Sequence, residues 1–412
     1  MGVKYILEWW KNLSFKENIM EARAISKSVI KIGAIDWDRR LFDSLIPLPD
    51  GTSYNAYLIS GSEKTVLVDT VDPTMADTLM EQLVKVPKLD YVIAHHAEQD
   101  HSGSIPRVLE KYPGAMVIAS TKCKGMLVDH LAVPEGRIRA VADGETISLG
   151  NLTLEFVHTP WVHWPETMCT YLREEKALFT CDFFGSHLAT TDLHAIDRPR
   201  VYESAKRYYA EIMMPFRGII KTNIDKLLKR DIRLIAPSHG PVYDDPPFIM
   251  NAYKDWISDT PKNEAVIAYI SMHGSTRKMV ERLMAALVAR GVTAYQFDLA
   301  VTDLGKLAIT LVDAATIVIG TPTVHVGPHP TVLYATQLAN ALRPKTKFAA
   351  VIGSYGWATK AVEQIAALIP NIKAEVLGAV MARGLPTEKE YAELEKLADA
   401  IAAKHRSAGL MG

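Results

Sequence analysis

After residue 264 the chain settles into a regular alternation of strand-sized apolar runs and helix-sized amphipathic stretches. The runs fall at Ala265–Ser271, Thr293–Asp298, Ala314–Gly320, Phe348–Gly353 and Ala374–Met381. Strands separated by helices lie parallel, because a parallel connection needs a crossover, and the crossover helices then cover the faces of the sheet. The pattern predicts a doubly wound parallel α/β domain over residues 264–412. Its last helix opens with Thr387-Glu-Lys-Glu390, the spacing of a capping box.

The preceding part reads differently. Ser28–Gly33, Ala56–Ile59 and Thr65–Val71, with Pro49-Asp-Gly51 among them, predict antiparallel hairpins over residues 23–75. A helix over Met75–Val86, a strand at 90–94, a helix over Ile105–Tyr112 and a strand at Met116–Ala119 should follow. A second set of hairpins is expected at 138–158, then strand and helix from Ala177 to Trp256, with a long helical region at Tyr202–Lys229. The polar stretch Asp259-Thr-Pro-Lys-Asn263 reads as a connector. The expected organisation is therefore an N-terminal extension (1–22), a first domain (23–258), a linker (259–263) and a second domain (264–412). At 412 residues, two cores are the default.

Several classes are disfavoured. A formal net charge of −1 gives nucleic acid no electrostatic footing. Tyr5–Trp10 is too short, and too broken by Glu8 and Lys11, to span a membrane or act as a leader; a short amphipathic helix is expected there. Gly2 lacks the Ser or Thr at position six that myristoylation requires. Cys123, Cys169 and Cys181 are scattered and form no Cys-x-x-Cys pair, which points to a reducing, cytoplasmic setting.

Chemistry is concentrated in His96-Ala-Glu-Gln-Asp-His101, which follows the apolar run ending at Ala94. Four donors in six residues at the end of a strand can converge on metal if the loop folds back. Three more candidates stand just beyond apolar strands: His163 after Thr159-Pro160, Asp182 after Ala177–Thr180, and His239 in Ala-Pro-Ser-His-Gly. The set is four His, two Asp and one Glu, enough for two ions if one carboxylate bridges. In the second domain, Ser271-Met272-His273-Gly274-Ser275-Thr276 opens a helix and can form an anion site from backbone N–H groups. Thr321-Pro322-Thr323-Val324-His325 and Ser354-Tyr355-Gly356-Trp357 follow the third and fourth strands, where a doubly wound sheet grips its ligand. With no Gly-x-Gly-x-x-Gly, the reading is FMN rather than a dinucleotide.

The first domain resembles the metallo-β-lactamase superfamily, an αβ/βα sandwich with a dinuclear site at one edge. The superfamily's zinc hydrolases carry His-x-His-x-Asp-His; here Glu98 stands for the second histidine. A hard carboxylate favours iron. Together with the flavodoxin-like second domain, this is similar to the flavodiiron proteins (A-type flavoproteins). Their motifs match His96–His101, His163-Trp-Pro165, Asp182-Phe-Phe-Gly185 and His239-Gly240.

The resemblance implies one iron held by His96, Glu98 and His163, and another by Asp100, His101 and His239. Asp182 would bridge them, keeping the irons about 3.5–4 Å apart. His187 and Tyr209 are candidates for groups beside the site, a purely structural role being equally open. His273, in a slot often aromatic in the family, and Val324-His325, replacing a more usual polar pair, depart from its pattern at the flavin. The implied activity is reduction of O₂ to water, of NO to N₂O, or both. A zinc hydrolase with a fused flavodoxin, or an electron carrier without metal, are the alternatives. A head-to-tail homodimer or a dimer of dimers is implied. The chain ends at Gly412 with no rubredoxin module fused, so a separate donor is expected: a rubredoxin-like protein or a reduced deazaflavin.

Overall fold

The computed structural model describes residues 22–411, so the helix expected at Tyr5–Trp10 lies outside the described residues. Two compact units emerge. One takes the chain up to Tyr208 together with Phe216–Asp255; the other takes Tyr209–Pro215 and the chain from Trp256 onward.

In the first unit a seven-stranded sheet runs in the order Arg23–Ala24, Val29–Asp36, Thr52–Ser60, Thr65–Val68, Tyr91–Ala94, Met116–Ser120, Ile138–Val141. The first four pair antiparallel and the last four parallel. The period of two sorts its side chains. Leu58, Leu67, Val92 and Val117 face the helices Ala76–Gln82, Ile105–Lys111 and Thr121–Leu131. Tyr57, Ile59, Val66, Ile93 and Ile118 face inward, against Leu154, Phe156, Phe179 and Ala236 of a second, five-stranded sheet. That sheet is ordered Thr146–Ser148, Thr153–His158, Met168–Leu172, Ala177–Cys181, Leu234–Pro237. Its last two strands are parallel, so both release the chain at the same edge.

Two expectations are corrected here. The hairpins expected at 138–158 are divided between the sheets: Ile138–Val141 pairs parallel with Met116–Ser120, while Thr146–Ser148 and Thr153–His158 form the hairpin. The helical region expected at Tyr202–Lys229 is two helices, Arg198–Tyr208 and Arg217–Leu227, separated by wider and tighter turns over Tyr209–Phe216. Pro215 lies in that break; it lacks the N–H for the helical ladder and its ring clashes with the preceding turn.

The second unit is a parallel sheet in the order Thr293–Asp298, Lys262–Tyr269, Ala314–Val324, Phe348–Tyr355, Glu375–Arg383. Helices Ser275–Ala289 and Glu388–Ser407 cover one face, and Leu304–Leu311, Pro330–Leu342 and Ala361–Leu368 the other. The capping box at Thr387 forms. Lys262 and Asn263 of the expected connector already belong to the first strand, and the Lys262 N–H donates to Asp313 O at 2.7 Å. The segment 209–215 packs within this unit: the Tyr209 ring lies 5.4 Å from Trp256, and its hydroxyl donates to the Trp256 carbonyl at 3.3 Å. No helix among the described residues is long and apolar enough to cross a membrane.

Candidate metal centre

Strand Tyr91–Ala94 ends in a loop that Ser102 folds back, its hydroxyl donating to Ala97 O at 2.8 Å and Glu98 O at 2.9 Å. Thr70 pins the far side: its N–H and hydroxyl both donate to His101 O. Asp182 and His239 leave the two parallel strands of the second sheet at one edge, and His163 comes from the turn after Thr153–His158.

The structure brings all seven candidate ligands together in two groups. In one, His96 Nε2 and His163 Nε2 lie 3.0 and 3.2 Å from Glu98 Oε2, and 3.5 and 3.4 Å from Asp182 Oδ2. In the other, His101 Nε2 lies 3.3 Å from Asp100 Oδ1 and 2.9 Å from Asp182 Oδ1, and His239 Nε2 lies 3.3 Å from both Asp100 Oδ2 and Asp182 Oδ1. Asp182 thus presents one oxygen to each group. Separations near 3 Å are what adjacent ligands subtend around a shared ion at about 2.1 Å. The carboxylate oxygens of Asp100 and Asp182 are buried and converge with these imidazoles, which fits an ion.

Protons compete for the same atoms. Burial by itself would depress the rings, but the hydrogen bonds they donate to carboxylates outweigh it. Asp182 and Glu98 raise His163 to about 9, and Asp100 and Asp182 raise His239 to about 10. Burial opposes ionisation of Glu98, yet His163 and His96 hold its carboxyl well below the usual range.

Groups behind the ligands set their orientation. Glu166 accepts from His96 Nδ1 at 2.6 Å and from the Ala97 N–H at 3.0 Å; burial would raise its carboxyl, and His96 with Ala97 holds it below its ordinary value. His239 Nδ1 donates to Ser53 O at 2.7 Å. One layer deeper, Asp69 accepts from the His95 N–H and its Nδ1, and His95 Nε2 meets Thr170 Oγ1 at 2.7 Å. His187 is brought to the edge of this cluster, 2.8 Å from Thr52 Oγ1 through Nδ1 and 4.6 Å from the His239 ring. Burial and the neighbouring His239 keep it well below its ordinary value, hence neutral.

Tyr209 is not brought there; Tyr208 is. The Tyr208 ring lies 4.8 Å from His187 and 5.8 Å from His239, and burial followed by the Asp182 carboxylate pushes its hydroxyl well above the ordinary phenol value. The signal that separates the two tyrosines is helical register. Val201, Ala205 and Tyr208 form one buried i, i+4, i+7 stripe, and Tyr209 turns about 100° away. Glu166, Thr52 and Asp69 stand outside the sequence motifs; of the three, only Glu166, three residues past His163, has a local cue. A cavity of about 420 Å³ opens beside Glu98 and Asp100, walled by Arg39, Phe42, Asp43 and Trp164.

The three loops of the second unit gather at the C-terminal end of its sheet. The strand order reverses beside Lys262–Tyr269, where a ligand crevice is expected. Gly274, at φ 87°, turns the chain into helix Ser275–Ala289, a backbone that side-chain-bearing residues rarely adopt. Thr276 Oγ1 lies 3.4 Å from Ser354 Oγ, tying the first loop to the third. Much of the second loop is strand: Thr323 and Val324 pair with Pro328 and Gly327 around a turn in which His325 and Val326 both have positive φ. Pro322 pairs with Ser354 across the sheet. Met272, His273, His325, Gly356 and Trp357 are exposed around this end, so Trp357 is not a core residue.

A family model described as "ODP family beta lactamase" matches residues 52–240. A nitric oxide reductase of Moorella thermoacetica is 37% identical over 343 residues, 81% of this chain and 86% of its own. The chain belongs to the flavodiiron proteins. A coenzyme F420H(2) oxidase of Methanothermobacter marburgensis is 32% identical over 352 residues, covering 81% of this chain and 86% of its own. Rubredoxin oxygen:oxidoreductase from the anaerobe Desulfovibrio gigas superposes with a TM-score of 0.90 at 28% identity, over 94% of this chain and 99% of that one.

This flavodiiron protein is an oxidoreductase whose cofactors are FMN and two non-haem irons. The donor set, with a carboxylate in each group and one shared, suits hard iron more than zinc, and the hydrolase reading is not favoured.

Proposed function

We propose that this chain reduces O₂ to water, NO to N₂O, or both, at irons held by the seven converging residues. The observation that carries the reading is the placement of Asp182 Oδ1 and Oδ2 in two separate groups of two histidines and one carboxylate. His96, Glu98 and His163 would hold one iron, Asp100, His101 and His239 the other, and Asp182 would join them. Irons held by these residues would supply electrons and bind a diatomic. The protein's own groups do the rest. Phe42 and Trp164 supply apolar wall to the cavity beside Glu98 and Asp100. Tyr208 stays protonated at its hydroxyl beside Asp182, so it presents a proton rather than a charge, and His187 stays neutral at its side.

Reduction of O₂ takes four electrons and of two NO takes two, so a donor must refill the flavin. The loops at 271–276, 321–325 and 354–357 are the proposed FMN grip, with the phosphate at the Gly274 turn. Rubredoxin is the proposed donor, supported by the naming of the Desulfovibrio gigas protein; a reduced deazaflavin is the alternative, supported by the name of the methanogen oxidase. A cytoplasmic location and a head-to-tail homodimer or dimer of dimers complete the proposal.

The test is elemental analysis and flavin extraction, followed by turnover of the pre-reduced protein with each gas. Two irons and one FMN per chain with gas consumption support the reading. Zinc in place of iron, or no turnover with either gas, overturns it.

A further inference from the structure

The two groups of ligands are alike in composition and unlike in what stands behind them. Each has two histidines and one carboxylate of its own. The Nδ1 atoms differ. In the group containing Glu98, His96 Nε2 faces the site, and its Nδ1 meets Glu166 Oε1 at 2.6 Å, a carboxylate of which 2% is exposed. In the group containing Asp100, His239 Nδ1 donates to the neutral carbonyl of Ser53 at 2.7 Å, and His101 Nδ1 is buried without a hydrogen-bonding partner among the described residues.

A carboxylate accepting the Nδ1 proton makes imidazole a stronger donor through Nε2, giving it part of the character of imidazolate. Charge-assisted bonds of this length are about twice as strong as neutral ones, and the low local dielectric preserves the effect. A stronger donor favours the more highly charged ion.

We propose that Glu166, a positioning residue acting through His96, makes the two irons unequal, so that the ion held by His96, Glu98 and His163 is the last to be reduced and the first to be oxidised. The inference rests on the iron assignment proposed above. The site then accepts its two electrons at separated potentials, and the half-reduced state has its ferric ion on the Glu166 side. Neither the family motifs nor ligand spacing contain this: Glu166 lies outside all of them, and the two ligand sets taken alone are nearly symmetric.

The test is Glu166→Gln in the full-length protein. The amide oxygen can still accept from His96 and Ala97, so the loop keeps its geometry and loses only the charge. Both one-electron steps are followed by reductive titration with dithionite, read by electron paramagnetic resonance of the half-reduced state and Mössbauer spectroscopy of isotope-enriched iron.

The wild type should show two resolved steps. In the variant, with iron content unchanged, the lower step should rise and the upper one stay. A tenfold loss of preference for the ferric ion, the low end of what removing such a partner does, corresponds to about 59 mV. Both steps unmoved, or both moved equally, overturns the inference. If the variant does not retain iron, cobalt(II) titration of the metal-free protein reads the same inequality. One of two equivalents binding at least about tenfold more weakly than in wild type supports it, and both weakened alike overturns it. A wild type without two irons per chain refutes the functional reading instead, so the two failures are distinguishable.

Discussion

Asp182 Oδ1 lies 2.9 Å from His101 Nε2, while the other oxygen of the same carboxylate faces His163 at 3.4 Å. A carboxylate divided in this way belongs to both groups. Asp182→Ala should therefore strip both irons rather than one, since two cations about 4 Å apart then repel without a shared anion between them. FMN per chain should be unchanged, because the flavin loops lie in the other unit. Iron and flavin analysis checks this; a variant with two irons and full turnover removes the bridge.

Glu98→His restores the hydrolase pattern His-x-His-x-Asp-His. Glu98 Oε2 faces both His96 and His163, so the change replaces the hard donor at the centre of one group with a softer, neutral one. Iron-to-zinc ratio should fall several-fold and gas turnover with it, at constant FMN. Elemental analysis of both proteins grown in one medium is the measurement, and an unchanged ratio with full turnover refutes it.

Register decides between two adjacent tyrosines. Tyr208→Phe should lower kcat by about 10²-fold with iron retained, the usual scale for a lost proton donor. Tyr209→Phe removes a hydroxyl that donates to the Trp256 carbonyl at 3.3 Å, away from the seven converging residues, and should leave turnover near wild type. Equal losses in both variants would falsify the assignment.

Removing the iron turns the site into a set of protonated histidines beside carboxylates. His163 and His239 are raised from 6.5 to about 9 and about 10, so their contribution to stability is full below 6.5 and is lost as pH rises through 9 and 10. Glu98 and Asp182 are depressed, so theirs is present above 4.5 and 3.8 and is lost in acid. Iron-depleted protein should be most heat-stable between those limits and lose on the order of 5 °C in Tm from pH 6.5 to 10. Iron-loaded protein should not show that fall, because the metal displaces those protons. Parallel melts across that range provide the check.

A fragment beginning at Trp256 should fold and bind FMN, whereas one beginning at Pro261 discards Trp256, and with it a fully buried side chain. Even the longer fragment loses the Tyr209–Pro215 segment, with the buried side chains of Tyr209, Met213 and Met214, so it should be less stable by several kcal/mol, about 2 for each such side chain. Flavin content and melting of both fragments measure this; a longer fragment without flavin removes the case for its loops.

The sequence by itself determined the alternation after residue 264, the seven ligand types and the substitution at Glu98, because each is written in local spacing: period two, period 3.6, or donors at strand ends. Only the tertiary structure decided which oxygen of Asp182 serves which group and that Ile138–Val141 joins the other sheet. It also placed Glu166 behind His96 and put Tyr209–Pro215 in the second unit. Those facts depend on segments far apart in the chain being packed together, Asp182 lying 81 residues beyond His101. No local periodicity carries information about a partner at that distance, since its position is fixed by the packing of two sheets and not by either strand alone.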